Sequence, residues 1–198
     1  MNEPSKNEAD LIKKKISSIY DDVLSRYDAR KYPEDPYDQA RVEFSSRGNN
    51  NNQIENAMKW KWGHWGKDNY PQRHKDLIEE IRNIWPKYIQ ANCTTPEDTF
   101  IYWKGALEKR TRYISVAFIT HLIHSELVPI IDQHNYRAMN HLLRISEEKV
   151  ITNKKKPSNW EDIQNLREFL SFISKLLGKE IREVDKFLMM YGRYCAPR

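Results

Sequence analysis

Cysteine is nearly absent from this chain, and the two present, Cys93 and Cys195, lie far apart and match no metal-ligand spacing. A disulfide framework, a zinc site and a cysteine-held iron–sulfur cluster are therefore excluded, and no metal or other cofactor is expected. Long apolar runs are missing too. No stretch approaches the ~18 residues that a membrane-spanning helix needs, and the opening MNEPSKNEADLIKKK lacks the apolar core of a secretion signal. The expectation is a soluble, cytoplasmic, monomeric protein without a membrane partner. Acidic excess is lacking as well: 33 Lys and Arg against 28 Asp and Glu leave +5, a mild surplus that favours polyanions without establishing contact with them.

What is present is helical periodicity. The 198 residues suffice for one hydrophobic core, and a single domain over 1–198 is expected, all-α in class. Ile12, Ile16, Ile19, Val23 and Tyr27 share one face of a predicted helix from Leu11 to Tyr27. Pro33, Pro36, Gly48 and a polar run of four Asn then predict a long mobile loop over 29–53. A helix is predicted from Arg73 to Ile89, kinked or shortened by Pro86. Thr95-Pro96-Glu97-Asp98 supplies a hydroxyl cap, a first-turn proline and early acids, so another helix should start there and run through Trp103 and Leu107. The segment ISVAFITHLIH, Ile114 to His124, is the most apolar in the chain and should be the central helix. Ser158 with Glu161 reads as a capping box opening a helix that ends at Gly178, and Glu180 to Tyr191 closes the fold.

The segment with chemical content is VPIIDQHNYRAMNHLL, Val128 to Leu143, where an apolar turn delivers Asp132 to a helix start. An aspartate there ordinarily caps its own helix. Here it is followed by His134, Tyr136, Arg137 and Asn140, and the order D-x-H-x-aromatic-R-x-x-N resembles the segment after the hairpin in the endonuclease III branch of helix-hairpin-helix DNA glycosylases. The resemblance implies a two-lobed helical fold of that glycosylase type and makes Asp132 the catalytic carboxylate. It also implies a DNA-binding hairpin around Trp103 to Tyr113, where KGALEKRTRY has Gly105 but no second glycine. Ile114 stands where strand-cleaving members carry lysine, so the activity implied is monofunctional base removal unless Lys104 or Lys109 substitutes.

Grip on double-stranded DNA needs cations for the backbone and rings for the bases. AMKWKWGHWGKDNYPQRHK sets Trp60, Trp62 and Trp65 among Lys59, Lys61, His64 and Lys67. In an extended stretch Trp60 and Trp62 would face one way and the lysines the other. These three tryptophans, with Tyr113 and His134, are the candidates for a base pocket or stacking surface. Lys59, Lys61, Lys104, Lys109, Arg110, Arg112 and Arg137 are the candidates for phosphate. The function expected is hydrolysis of the N-glycosidic bond of a damaged or modified base flipped from duplex DNA, in repair or in defence against phage. The alternative is a non-catalytic nucleic-acid-binding module on the same helical scaffold.

Overall fold

The structure is a computed structural model and describes residues 4–48, 51–107, 112–144 and 157–197. Among the described residues the chain is all-α, with ten helices and no strand. They are α1 (Lys6–Ser17), α2 (Tyr20–Leu24), α3 (Glu34–Ser45), α4 (Asn51–Lys61), α5 (Gln72–Gln90), α6 (Pro96–Ala106), α7 (Tyr113–Ile123), α8 (Gln133–Leu143), α9 (Trp160–Leu177) and α10 (Ile181–Tyr194). None is long and apolar enough to cross a membrane. The chain divides into two compact units. One joins Met1–Tyr27 to Pro129–Arg198, and the other is Asp28–Val128.

In the first unit α10 packs on α8, α9 and α2, while α1 lies against α8 and α9. The face predicted as one helix from Leu11 to Tyr27 is two helices, because the backbone breaks at Ser18 and Ile19, where Ile19 leaves helical geometry and the Ser18 hydroxyl turns back to the Lys15 carbonyl. Ile12, Ile16 and Val23 are buried as predicted, but Tyr20 is buried where Ile19 was expected, and Ile19 and Tyr27 are half-buried. Helix α9 starts one residue later than the predicted capping box. Its cap is Asn159, reciprocated by Asp162 rather than by Glu161. Asp162 is buried and also accepts from the Tyr136 hydroxyl at 2.8 Å, and that tertiary bond fixes which of two overlapping cap signals is used.

In the second unit α7 is buried over Ser115 to Ile123 and packs on α6 and α3, with α4 bridging α3 and α5. The predicted loop over 29–53 is corrected here, since α3 occupies Glu34 to Ser45. Both prolines fall at its start, Pro33 at the cap and Pro36 in the first turn, where a missing N–H costs nothing. Tyr37, Ala40 and Phe44 then bury one helical face. Helix α5 continues through Pro86 to Gln90. The packing of Leu77, Ile78, Ile81, Trp85 and Tyr88 outweighs the one backbone bond that the proline removes. Thr95 caps α6 as its sequence predicts, accepting from the Asp98 amide at 3.1 Å.

Candidate functional site

Asp132 sits at the entrance to α8. Its backbone is extended, its side chain is half-buried, and its Oδ1 accepts from the amides of His134 at 2.6 Å and Asn135 at 3.0 Å. Asn135 answers by accepting from the Asp132 amide at 2.9 Å, which closes a capping box. The carboxylate is thereby fixed in direction by two amides at the positive end of a helix. Its other oxygen accepts no hydrogen bond among the described residues.

The frame around this carboxylate comes from α10. Asn135 is buried and donates to the Ile130 carbonyl at 2.6 Å and to Asp185 of α10 at 3.1 Å. Gly192 of α10 lies directly on the first turn of α8: a Cβ built there would stand 1.8 Å from the His134 carbonyl oxygen. Only a residue without a side chain permits that approach. Arg137 donates to the Gly192 carbonyl at 3.1 Å, so its guanidinium ties α8 to α10. The His134 ring is half-buried, with Nδ1 enclosed and without a hydrogen-bond partner. Burial pushes its pKa below the ordinary histidine value although the Asp132 charge pulls the other way.

The tryptophan-rich segment belongs to the second unit and divides among three environments. It is not extended, because α4 runs to Lys61; the shared direction predicted for Trp60 and Trp62 is corrected accordingly. Trp60 is 8 % exposed, stacks between Tyr37 and Phe118, and donates to the Pro33 carbonyl at 2.8 Å. It is a core residue. Trp62 is half-buried and stacks on His74 with ring centres 4.0 Å apart. Trp65 is half-buried and has no ring contact or hydrogen bond among the described residues. It stands between Gly63 and Gly66, whose φ values of 66° and 70° turn the chain in a way that side-chain-bearing residues resist.

Around these rings the cations are spread unevenly. Lys59 and Lys75 both lie over the Tyr70 ring at 5.3 Å, and Lys61 lies over Phe118 at 5.4 Å. Tyr70 donates to Glu55 at 2.9 Å, and Glu55 also takes Arg82 at 2.9 Å. Lys104 is exposed at the end of α6, with its ammonium over Phe100. Arg112 is otherwise committed: its side chain is 11 % exposed and pairs with Glu80. Tyr113 opens α7 with its ring edge-on to Phe100. Lys109 and Arg110 lie outside the described residues.

Two further histidines have structural partners. His121 is buried, with Nδ1 on the Val128 carbonyl at 2.6 Å and Nε2 on the Tyr37 hydroxyl at 2.7 Å. His124 takes the Thr99 hydroxyl, which is linked in turn to Tyr88. Gly192, Asp185 and His74 were not singled out in the sequence; a lone glycine inside the amphipathic run FLMMYGRY was the one available signal. No family model, no curated protein and no solved structure matches this chain.

Proposed function

We propose that this protein is a DNA N-glycosylase that hydrolyses the bond between a flipped base and its deoxyribose, with Asp132 as its carboxylate. The observation that carries the proposal is the state of that side chain: one oxygen is held by two helix amides while the other accepts no hydrogen bond among the described residues. As the glycosidic bond breaks, its electron pair leaves on the base nitrogen and positive charge develops on the sugar. A fixed anion stabilises that charge and orients a water whose oxygen bonds the sugar carbon; the water's proton passes to the carboxylate and the departing base takes up a proton from solvent. The products are a free base and an abasic site. No lysine takes part, and the strand stays intact.

Unstacking the target costs roughly a few kcal/mol, which DNA binding must supply. We assign phosphate contact to Lys59, Lys61 and Lys104, and base stacking to Trp62 and Trp65; Arg112 and Arg137 instead hold the fold. The two compact units are taken as the two lobes of the glycosylase fold type. The substrate class is a damaged or modified base in duplex DNA, met in repair or in defence.

A second reading has its own support. Capping alone accounts for an aspartate whose Oδ1 serves two amides, so the same scaffold suits a binding module without chemistry. The two readings part on one assay. Wild type and Asp132→Asn are incubated with a panel of damaged and modified duplexes, and alkali-labile sites are scored. Release by wild type and loss in the variant, with DNA affinity retained, supports the enzyme; binding without release by either supports the module.

A further inference from the structure

Tyr70, His64, His74 and Trp62 form a run of neighbouring rings on the α4–α5 connection. His64 and Tyr70 stack at 5.8 Å, His64 Nε2 meets His74 Nδ1 at 3.1 Å, and His74 stacks on Trp62 at 4.0 Å. A short contact between two ring nitrogens requires a proton on one and a lone pair on the other. The donor can be identified. His64 Nδ1 is enclosed without a partner, and a bare lone pair is cheaper to bury there than an N–H. This favours the arrangement in which His64 donates through Nε2 to His74 Nδ1.

The surroundings disfavour protonation of either ring. Burial first, then Lys67 and Lys59, lower the pKa of His64; burial first, then His64 and Arg73, lower that of His74. Lys75 adds a further cation beside Tyr70. Of the acids on the same elements, Glu55 is bound by Arg82 and Tyr70 and also feels Lys59, Glu79 pairs with Arg82, Asp76 accepts from Gln72, and Asp68 is exposed in the connection. The result is a histidine pair whose protonation is disfavoured by burial and by the cations beside it.

We propose that His64 and His74 are a proton-coupled receptor for the DNA backbone, neutral in the free protein and taking up a proton when phosphate docks against the surrounding lysines. This rests on the DNA-binding part of the reading above. A phosphate brings negative charge to the cations that suppress protonation, so the protonated pair is stabilised only in the complex. By linkage, affinity must then rise as pH falls. A rise of one unit in the pair's pKa on binding corresponds to about a tenfold gain in affinity at the acid end.

The test is calorimetric titration of the full chain with an undamaged 20-base-pair duplex at pH 6, at fixed ionic strength, in two buffers of unlike ionisation enthalpy. The expected result is uptake of a net fraction of a proton by wild type and roughly threefold to fivefold tighter binding at pH 5.5 than at pH 7.5, with both effects absent in the His64→Gln, His74→Gln double variant. Binding without proton uptake, or uptake unchanged in the double variant, overturns the inference and leaves the glycosylase reading standing. No binding at any pH overturns both. Should the double variant not fold, the ring-proton titrations of His64 and His74 in wild type, with and without duplex, decide: midpoints that rise on binding support the proposal, and unchanged midpoints refute it.

Discussion

Replacing Gly192 by alanine places a methyl carbon 1.8 Å from the His134 carbonyl oxygen and 2.5 Å from its carbon. Both atoms are backbone and cannot swing aside. An ordinary carbon–oxygen contact is about 3.3 Å, so α10 and α8 must separate by roughly 1.5 Å. Overpacking of this kind costs about 1–3 kcal/mol. The same displacement stretches the Arg137 to Gly192 and Asn135 to Asp185 bonds, both 3.1 Å, at about 1 kcal/mol each. Alanine's better helix propensity returns about 1 kcal/mol. The sum is a loss of about 3 kcal/mol, read by urea unfolding followed by far-ultraviolet circular dichroism, and a fall in Tm of about 10 °C. Gly105 supplies the control, because it lies inside α6 with nothing within 4 Å of an added Cβ; Gly105→Ala should stabilise by about 0.5–1 kcal/mol. A cost below about 1 kcal/mol for Gly192→Ala, or a change of the same sign at both sites, refutes the account of how α8 is held.

Other perturbations follow from the same packing. All six histidines lie below their ordinary pKa with burial as the leading cause, His121 down to about 3. A lowered folded-state pKa means stability is complete above the unfolded value near 6.5 and is lost as pH falls toward the folded one. The unfolding free energy from urea titration should therefore drop steeply between pH 6.5 and pH 4, by several kcal/mol in all, whereas a flat profile there contradicts the neutral burial of His121. At Asp132, asparagine keeps the helix cap and alanine does not, so Asp132→Ala should cost about 1 kcal/mol and Asp132→Asn less than half of that by the same unfolding measurement. Equal losses would show that the cap contributes little. Arg112→Ala removes the partner of Glu80 and should cost about 1–2 kcal/mol after allowance for the partial exposure of Glu80, with duplex affinity changed less than twofold in an anisotropy titration; a large affinity loss would move Arg112 into the DNA interface.

The helical class was legible because apolar spacing is a local signal. Thr95-Pro96, Gly178 and the buried run of α7 each carry their structural meaning within a few residues. What failed was everything settled by distant contacts. Pro33 and Pro36 resemble breakers in sequence, yet both stand where a helix begins, and the Tyr37, Ala40 and Phe44 stripe needs a partner surface to count. Trp60 resembles its neighbours Trp62 and Trp65 in sequence, but it belongs to the last turn of α4, which faces it into the core beside Tyr37 and Phe118, whereas Trp62 and Trp65 lie beyond the helix. Asp132 was legible as a helix-starting aspartate, and the structure adds which oxygen is committed. The role of Gly192 was hidden because a glycine in a helix says that something is close without saying what.

The most direct test of the proposed chemistry compares base release by wild type and by Asp132→Asn on the same modified duplexes, with binding measured in parallel. Since asparagine preserves the cap and removes only the charge, release should fall by about 10² to 10³-fold while the Kd for duplex stays within twofold. Release that persists at the wild-type rate in Asp132→Asn would show that the carboxylate is a helix cap and nothing more.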